Sequence, residues 1–225
     1  MLLTRGYRVK NFMEIGSRDG DDANAFARAA GISEVHIIEP APLSAEAIRH
    51  RYPHFRTYQL AMSNEGGRMR FHNVVDPDPV RRGMSSLMGR GIYDTLPTEV
   101  VDVEVMRGDD FLRTHGIDEV SACKIDVEGH AVEVLEGFGE LLTRIQAIHL
   151  ECEMVPVWEG QRLYGDARRI LESKGFTQIS FFEYNQPTTQ SDSIWIRTPP
   201  PLRPVRWWRR VAWRWRRALQ RLSPS

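Results

Sequence analysis

Short apolar runs at residues 12–15, 35–38, 120–125 and 147–150 each lead into a turn that carries acids and then, further on, a segment with helical spacing. Strands separated in this way cannot pair through tight hairpins. They fold as a parallel sheet with crossover helices on its faces. The helical segments lie at 21–30, 44–50, 131–142 and 166–174, the last stopped by Gly175. A further run, 55–60, ends at Ala61-Met62-Ser63. Residues 69–75 read as a strand that extends the sheet or pairs locally, residues 100–106 as a further strand, and a short helix follows at 109–114. Residues 176–183 and 193–197 flank a polar turn and form an antiparallel hairpin at the edge. The expected architecture is α/β, a doubly wound, mostly parallel sheet with a terminal antiparallel hairpin.

The length of 225 residues suits one such domain, 1–198, followed by a tail, 199–225. Formal net charge is zero, but the charge is unevenly placed. Every Asp and Glu lies at or before Asp192, while eight arginines lie between Arg203 and Arg221; removing those eight from the 30 basic residues leaves 22 against 30 acids. Cys123 and Cys152 sit in apolar runs and read as reduced core thiols. The first residues lack a secretory pattern and no run of 18 apolar residues occurs, so a soluble, cytoplasmic chain is expected.

In an open α/β sheet, ligands bind at the carboxyl ends of strands. The first strand ends in Glu14-Ile15-Gly16-Ser17-Arg18-Asp19-Gly20. Gly16 and Gly20 let backbone pass close to a ligand, and Glu14 or Asp19 can accept from an ammonium or hydroxyl group. The middle glycine that lets a pyrophosphate approach is missing, which disfavours a nicotinamide-dependent oxidoreductase. Acids at this turn suit the positive charge of S-adenosylmethionine. Glu39, ending the second strand, can accept both ribose hydroxyls. Ala61, Met62 and Ser63 offer small and apolar surface for adenine plus one hydroxyl.

The sharpest signal is Lys124-Ile125-Asp126-Val127-Glu128-Gly129-His130, followed by Val134-Leu135-Glu136-Gly137. Two carboxylates at a strand end repel each other, and a ligand there explains why they are kept. With these residues the chain resembles the FkbM family of methyltransferases, whose hallmark is a K-I-D-x-E-G segment followed by a leucine and glycine. Glu39-Pro40, Ala61-Met62-Ser63 with Gly66 or Gly67 beyond, Met84-Ser85-Ser86-Leu87 and Glu151 are similar too, from about Phe12 to Arg197. The resemblance implies a Rossmann-like methyltransferase fold, S-adenosylmethionine as donor, and O-methylation of a sugar, glycolipid or related natural product. It departs from the family at Glu14, where Asp is usual, and at His130-Ala131, where a small residue and Glu are usual. The N-terminal segment that covers the substrate in many relatives is expected to be short or absent.

A sugar hydroxyl is a poor nucleophile near neutral pH, so a general base helps. The candidates are Asp126, Glu128, His130 and Glu151, with Asp126 assigned to the cofactor and Glu128 or His130 to the acceptor. Ser85, Ser86 and Glu151 are assigned to the substrate. No metal is assigned, since C-x-x-C and H-E-x-x-H spacings are missing; Asp126, Glu151 and Glu153 leave a magnesium-assisted alternative open.

After Pro199-Pro200-Pro201, a helix from about Val205 would gather Trp208, Val211, Ala212, Trp215, Leu219 and Leu222 on one face among arginines. That pattern fits an anionic membrane surface first, placing the protein on the inner face of the membrane. Docking on the acidic body or on a partner subunit comes second; nucleic acid is disfavoured by the acidic body, and an oligomer is left open. The alternative to an enzyme is a non-catalytic Rossmann-like module that tethers a glycan-assembly complex to the membrane. Cofactor binding separates the two.

Overall fold

The computed structural model describes residues 9–89, 95–183 and 190–197. Strands β1 (Asn11–Ile15), β2 (Glu34–Ile38), β3 (Arg56–Tyr58), β7 (Ala122–Ile125), β8 (Ala147–Glu153), β9 (Thr177–Glu183) and β10 (Gln190–Ile196) form one seven-stranded sheet. Its order is β3-β2-β1-β7-β8-β10-β9, parallel from β3 to β8 with β10 antiparallel to both neighbours. The strand order reverses between β1 and β7, which opens a crevice at their carboxyl ends. The terminal hairpin is therefore present, with β9 outermost.

Alternation along the strands sorts the core into two layers. Phe12, Val35, Ile37 and Ala122 face α1 (Asp21–Ala30) and α2 (Pro42–Arg51), and the ring of Phe12 stacks on Phe26 at 4.3 Å. Met13, Ile15, Cys123, Ile125, Ile148, Leu150 and Trp195 face the other way, towards α4 (Gly108–Thr114), α5 (Ala131–Gly137) and α6 (Tyr164–Ser173). Both cysteines are buried and free, and burial pushes their thiols up.

Two expectations are corrected. The run at 55–63 is two strands: β3 ends at Tyr58, and Ala61–Ser63 forms β4 in a separate three-stranded sheet of order β4-β6-β5. There β4 runs parallel to β6 (Thr98–Arg107), and β6 pairs antiparallel with β5 (Gly67–Val74), so these strands pair locally. All three β4 residues are buried, because the strand lies between β6 and α5. The helix at 131–142 breaks after Gly137 and resumes as a 3-10 turn, Gly139–Arg144. At Gly137 a Cβ would lie 2.1 Å from the carbonyl oxygen of Ser63, so only glycine lets α5 cross the end of β4. In the loop from 76 to 97 the described residues include the short helix α3 (Pro79–Arg82); residues 90–94 lie outside the described range, as does the tail 199–225. No helix among the described residues is long and apolar enough to cross a membrane.

Candidate active site

The ends of β1, β2, β7 and β8 converge on a cavity of 380 Å³. Its lining includes Glu14, Gly16, Asp19, Glu39, Ala61, Met62, Ser85, Asp126, Glu128, His130 and Glu151. Gly20, Ser63 and Ser86 do not line it but hydrogen-bond to residues that do, Ser17, His130 and Glu128.

The β1 turn is built around glycine and a serine. Gly16 has φ +80°, and a Cβ on it would sit 1.8 Å from the carbonyl oxygen of Asp126, so the β1 and β7 turns touch backbone to backbone. Ser17 N donates to Glu39 Oε2 at 3.0 Å and Ala41 N to Glu39 Oε1 at 2.8 Å. Those amides aim the buried Glu39 carboxylate, which keeps lone pairs for further donors. Ser17 Oγ donates to Glu14 Oε2 at 2.7 Å. Asp19 is turned instead to Arg18 and to the amide of Asp21, at the start of α1. Gly20 serves packing, since a Cβ there would meet the Tyr52 ring at 3.0 Å.

Burial raises Glu14 from the ordinary 4.5 to about 8 and Glu39 to about 7. Each is kept from rising further, Glu14 by Lys124 and Glu39 by its two amides. Lys124 opens the strand-end motif, but the sequence assigns it no role of its own. Its ammonium contacts Asp22 at 2.6 Å, Asp126 at 2.9 Å and Glu14 at 3.8 Å. Burial opposes its charge, and the three acids outweigh burial and hold it well above the usual lysine value.

Across the cavity, Glu128 has φ +47°, the one positive φ among the described non-glycine residues. Ser86 Oγ donates to its carbonyl oxygen at 2.5 Å and so fixes the strained turn. Ser86 therefore supports Glu128 from behind, and Ser85 is tied into its own loop by Val74 N and Arg82 O. Gln190 Nε2, which no sequence signal marked, donates to Glu151 Oε1 at 3.1 Å and to Glu128 Oε2 at 3.4 Å. Burial, then the charge of Asp126, raises both Glu128 and Glu151 well above the usual range.

Oxygens of Asp126, Glu128 and Glu151 lie within 4.8 Å of one another. Glu153, expected in such a group, instead accepts from Trp158 Nε1 at 3.2 Å. His130 is buried, and its Nε2 shares a hydrogen bond of 2.8 Å with Ser63 Oγ. Burial lowers its pKa to about 4, so the imidazole is neutral at physiological pH. Ala131 packs in the core, where an acid would be costly.

The acids raised by burial set a pH dependence. At Glu14 and Glu39 the folded state holds protons that the unfolded chain loses above about 4.5, so their contribution to stability falls as pH rises towards about 8. Thermal unfolding of the ligand-free protein should give a lower midpoint at pH 8 than at pH 6. A midpoint that rises over this interval contradicts the assignment.

A mostly parallel seven-stranded sheet with an antiparallel β10, and a glycine turn and strand-end acids at its reversal point, define a Rossmann-like methyltransferase fold. Residues 14–177 match the model of the methyltransferase FkbM domain, and the chain belongs to that family. It is 26% identical over 159 residues to the 2-O-methyltransferase NoeI of Sinorhizobium fredii, covering 66% of this chain and 65% of that protein. The chain thus spans just under two thirds of that relative's length. The crystal structure of the methyltransferase FkbM from Methylobacillus flagellatus superposes with a TM-score of 0.55 at 12% identity, over 86% of this chain and 45% of that one. The Aeropyrum pernix fibrillarin structure with natively bound S-adenosyl-L-methionine gives 0.50 at 10% identity, over 84% and 67%.

Proposed function

We propose that the protein transfers the methyl group of S-adenosylmethionine to a hydroxyl of a sugar, glycolipid or related natural product. The observation that carries this reading is the pair of buried carboxylates, Glu14 and Glu39, aimed by Ser17 and Ala41 into a cavity that also holds Asp126. Such a floor fits a cationic nucleoside and repels a phosphate. The name of the 2-O-methyltransferase relative supports a hydroxyl acceptor.

Glu39 would hold the ribose hydroxyls through its remaining lone pairs. Glu14 and Asp126 would hold the amino group, and Ala61 and Met62 the apolar ring. The bound sulfonium supplies an already activated methyl group. The protein therefore has mainly to align the acceptor oxygen and exclude water.

Glu128 would take the acceptor's proton as the oxygen–carbon bond forms and the sulfur–carbon bond breaks. A base works best with a pKa near the working pH. Burial and Asp126 raise Glu128 well above the ordinary carboxylate value, whereas burial lowers His130 to about 4. His130 would then orient the acceptor as a neutral hydrogen-bonding group, its ring set by Ser63.

Calorimetric titration with S-adenosylmethionine and with its demethylated product tests the reading. Saturable binding of both supports it; no binding by folded protein removes the enzyme and promotes a tethering module. Glu128→Gln should keep cofactor affinity while slowing methyl transfer to an oligosaccharide panel by roughly 10²- to 10⁴-fold. Unchanged transfer by that variant would move the base elsewhere.

A further inference from the structure

One face of the main sheet is covered unevenly. Over β1, β2 and β3 it packs against α1 and α2, and the opposite face packs against α4, α5 and α6. Over β8 and β10 the first face carries Ala147, His149, Ile194 and Ile196, which lie opposite one another in the strand register. Ile194 and Ile196 are only 6% and 4% exposed, yet neither belongs to an apolar cluster of the described residues, whereas Trp195 between them does. Among the described residues neither isoleucine shares an apolar cluster with a helix, although α1 reaches towards His149 through Asp22.

The ranges outside the described residues are 1–8, 90–94, 184–189 and 198–225. Residues 184–189 join β9 to β10 at the opposite end of β10 from Ile196. The last range alone is long enough for a helix of several turns, and it starts directly after β10, where Arg197 N donates to Gln146 O at 2.9 Å. An 18-residue helix would be about 27 Å long, and a seven-residue strand spans about 23 Å. The tail therefore has the length to run back along β10. Its apolar residues, Trp208, Val211, Ala212, Trp215, Leu219 and Leu222, recur at helical spacing, and its eight arginines oppose a body in which acids outnumber bases by 30 to 22.

We infer that the Arg- and Trp-rich segment 203–222 docks as an amphipathic helix on the β8–β10 part of its own sheet, covering Ile194 and Ile196. This reverses the order suggested by the sequence, in which a membrane surface came first. The sheet supplies a specific apolar face that a membrane would otherwise have to replace, and it needs no second component. A sheet of this kind buries both faces, and docking completes the second. The inference is independent of methyl transfer.

Hydrogen exchange of the full chain without lipid tests it. Peptides from 203–222 should exchange at least ~10-fold more slowly than unstructured chain. The variant Trp208→Asp with Trp215→Asp should abolish that protection and speed exchange in β8 and β10; Trp215→Ala gives the same readout in milder form should the first not fold. The protection should be independent of protein concentration and unchanged by phosphatidylcholine vesicles containing phosphatidylglycerol. Tail peptides that exchange freely until those vesicles are added would overturn docking in favour of a membrane contact. Protection that grows with concentration would overturn it in favour of a second copy. Tail variants that leave β8 and β10 unchanged would likewise overturn it.

Discussion

Glu39→Ala should lose S-adenosylmethionine binding by about 10²- to 10³-fold while remaining folded. Charge-assisted hydrogen bonds contribute roughly 1.5–3 kcal/mol each, and the Glu39 carboxylate is the acceptor proposed for the ribose hydroxyls. The substitution also leaves the amides of Ser17 and Ala41 without their acceptor, which loosens the β1 turn. Against that cost, it removes a carboxylate whose ionisation burial opposes. The thermal midpoint should accordingly change far less than the affinity. Calorimetry alongside thermal unfolding separates the two, and Glu39→Gln, which keeps one acceptor oxygen, should fall between wild type and alanine. Wild-type affinity in the alanine variant would remove Glu39 from the cofactor site.

The second large effect is on the scaffold. Gly16→Ala should destabilise the protein by about 3–5 kcal/mol, within the range reserved for severe backbone and packing conflicts. Two costs combine. A left-handed backbone costs an L-residue about 1–2 kcal/mol, and a Cβ 1.8 Å from the carbonyl oxygen of Asp126 forces the β1 and β7 turns apart. Gly31→Ala isolates the first cost, because Gly31 has φ +69° and nothing within 4 Å of an added Cβ. At roughly 2–4 °C per kcal/mol for a domain of this size, Gly16→Ala should lower the midpoint by about 6–20 °C. Gly31→Ala should lower it by only a few degrees. Equal shifts would show that backbone conformation alone demands Gly16.

The two effects come from one turn, which links folding to function. The contact that makes Gly16 obligatory also sets Asp126 beside Glu39 and Glu14. Asp126 and Glu14 are thereby gathered, together with Asp22, around one buried cation, Lys124. The folded protein keeps part of this charge as protons and would release them as a cationic cofactor binds.

Legible from the residues alone were the alternation of strands and helices, the acids at the ends of β1, β2, β7 and β8, and the glycine between Glu14 and Asp19. These follow from local periodicity and from the rule that parallel strands present their carboxyl ends to ligands. Only the tertiary structure decided that Ala61–Ser63 pairs with β6, that Gly137 admits α5 over that strand, and that Gln190 bridges Glu128 and Glu151. It also decided that Glu153 turns to Trp158 and that His130 is buried and neutral. The physical reason is that each depends on groups far apart in the chain. Strand partnership is settled by long-range pairing, and the charge of a buried side chain by the neighbours that desolvate or oppose it, neither of which is written in the residues on either side.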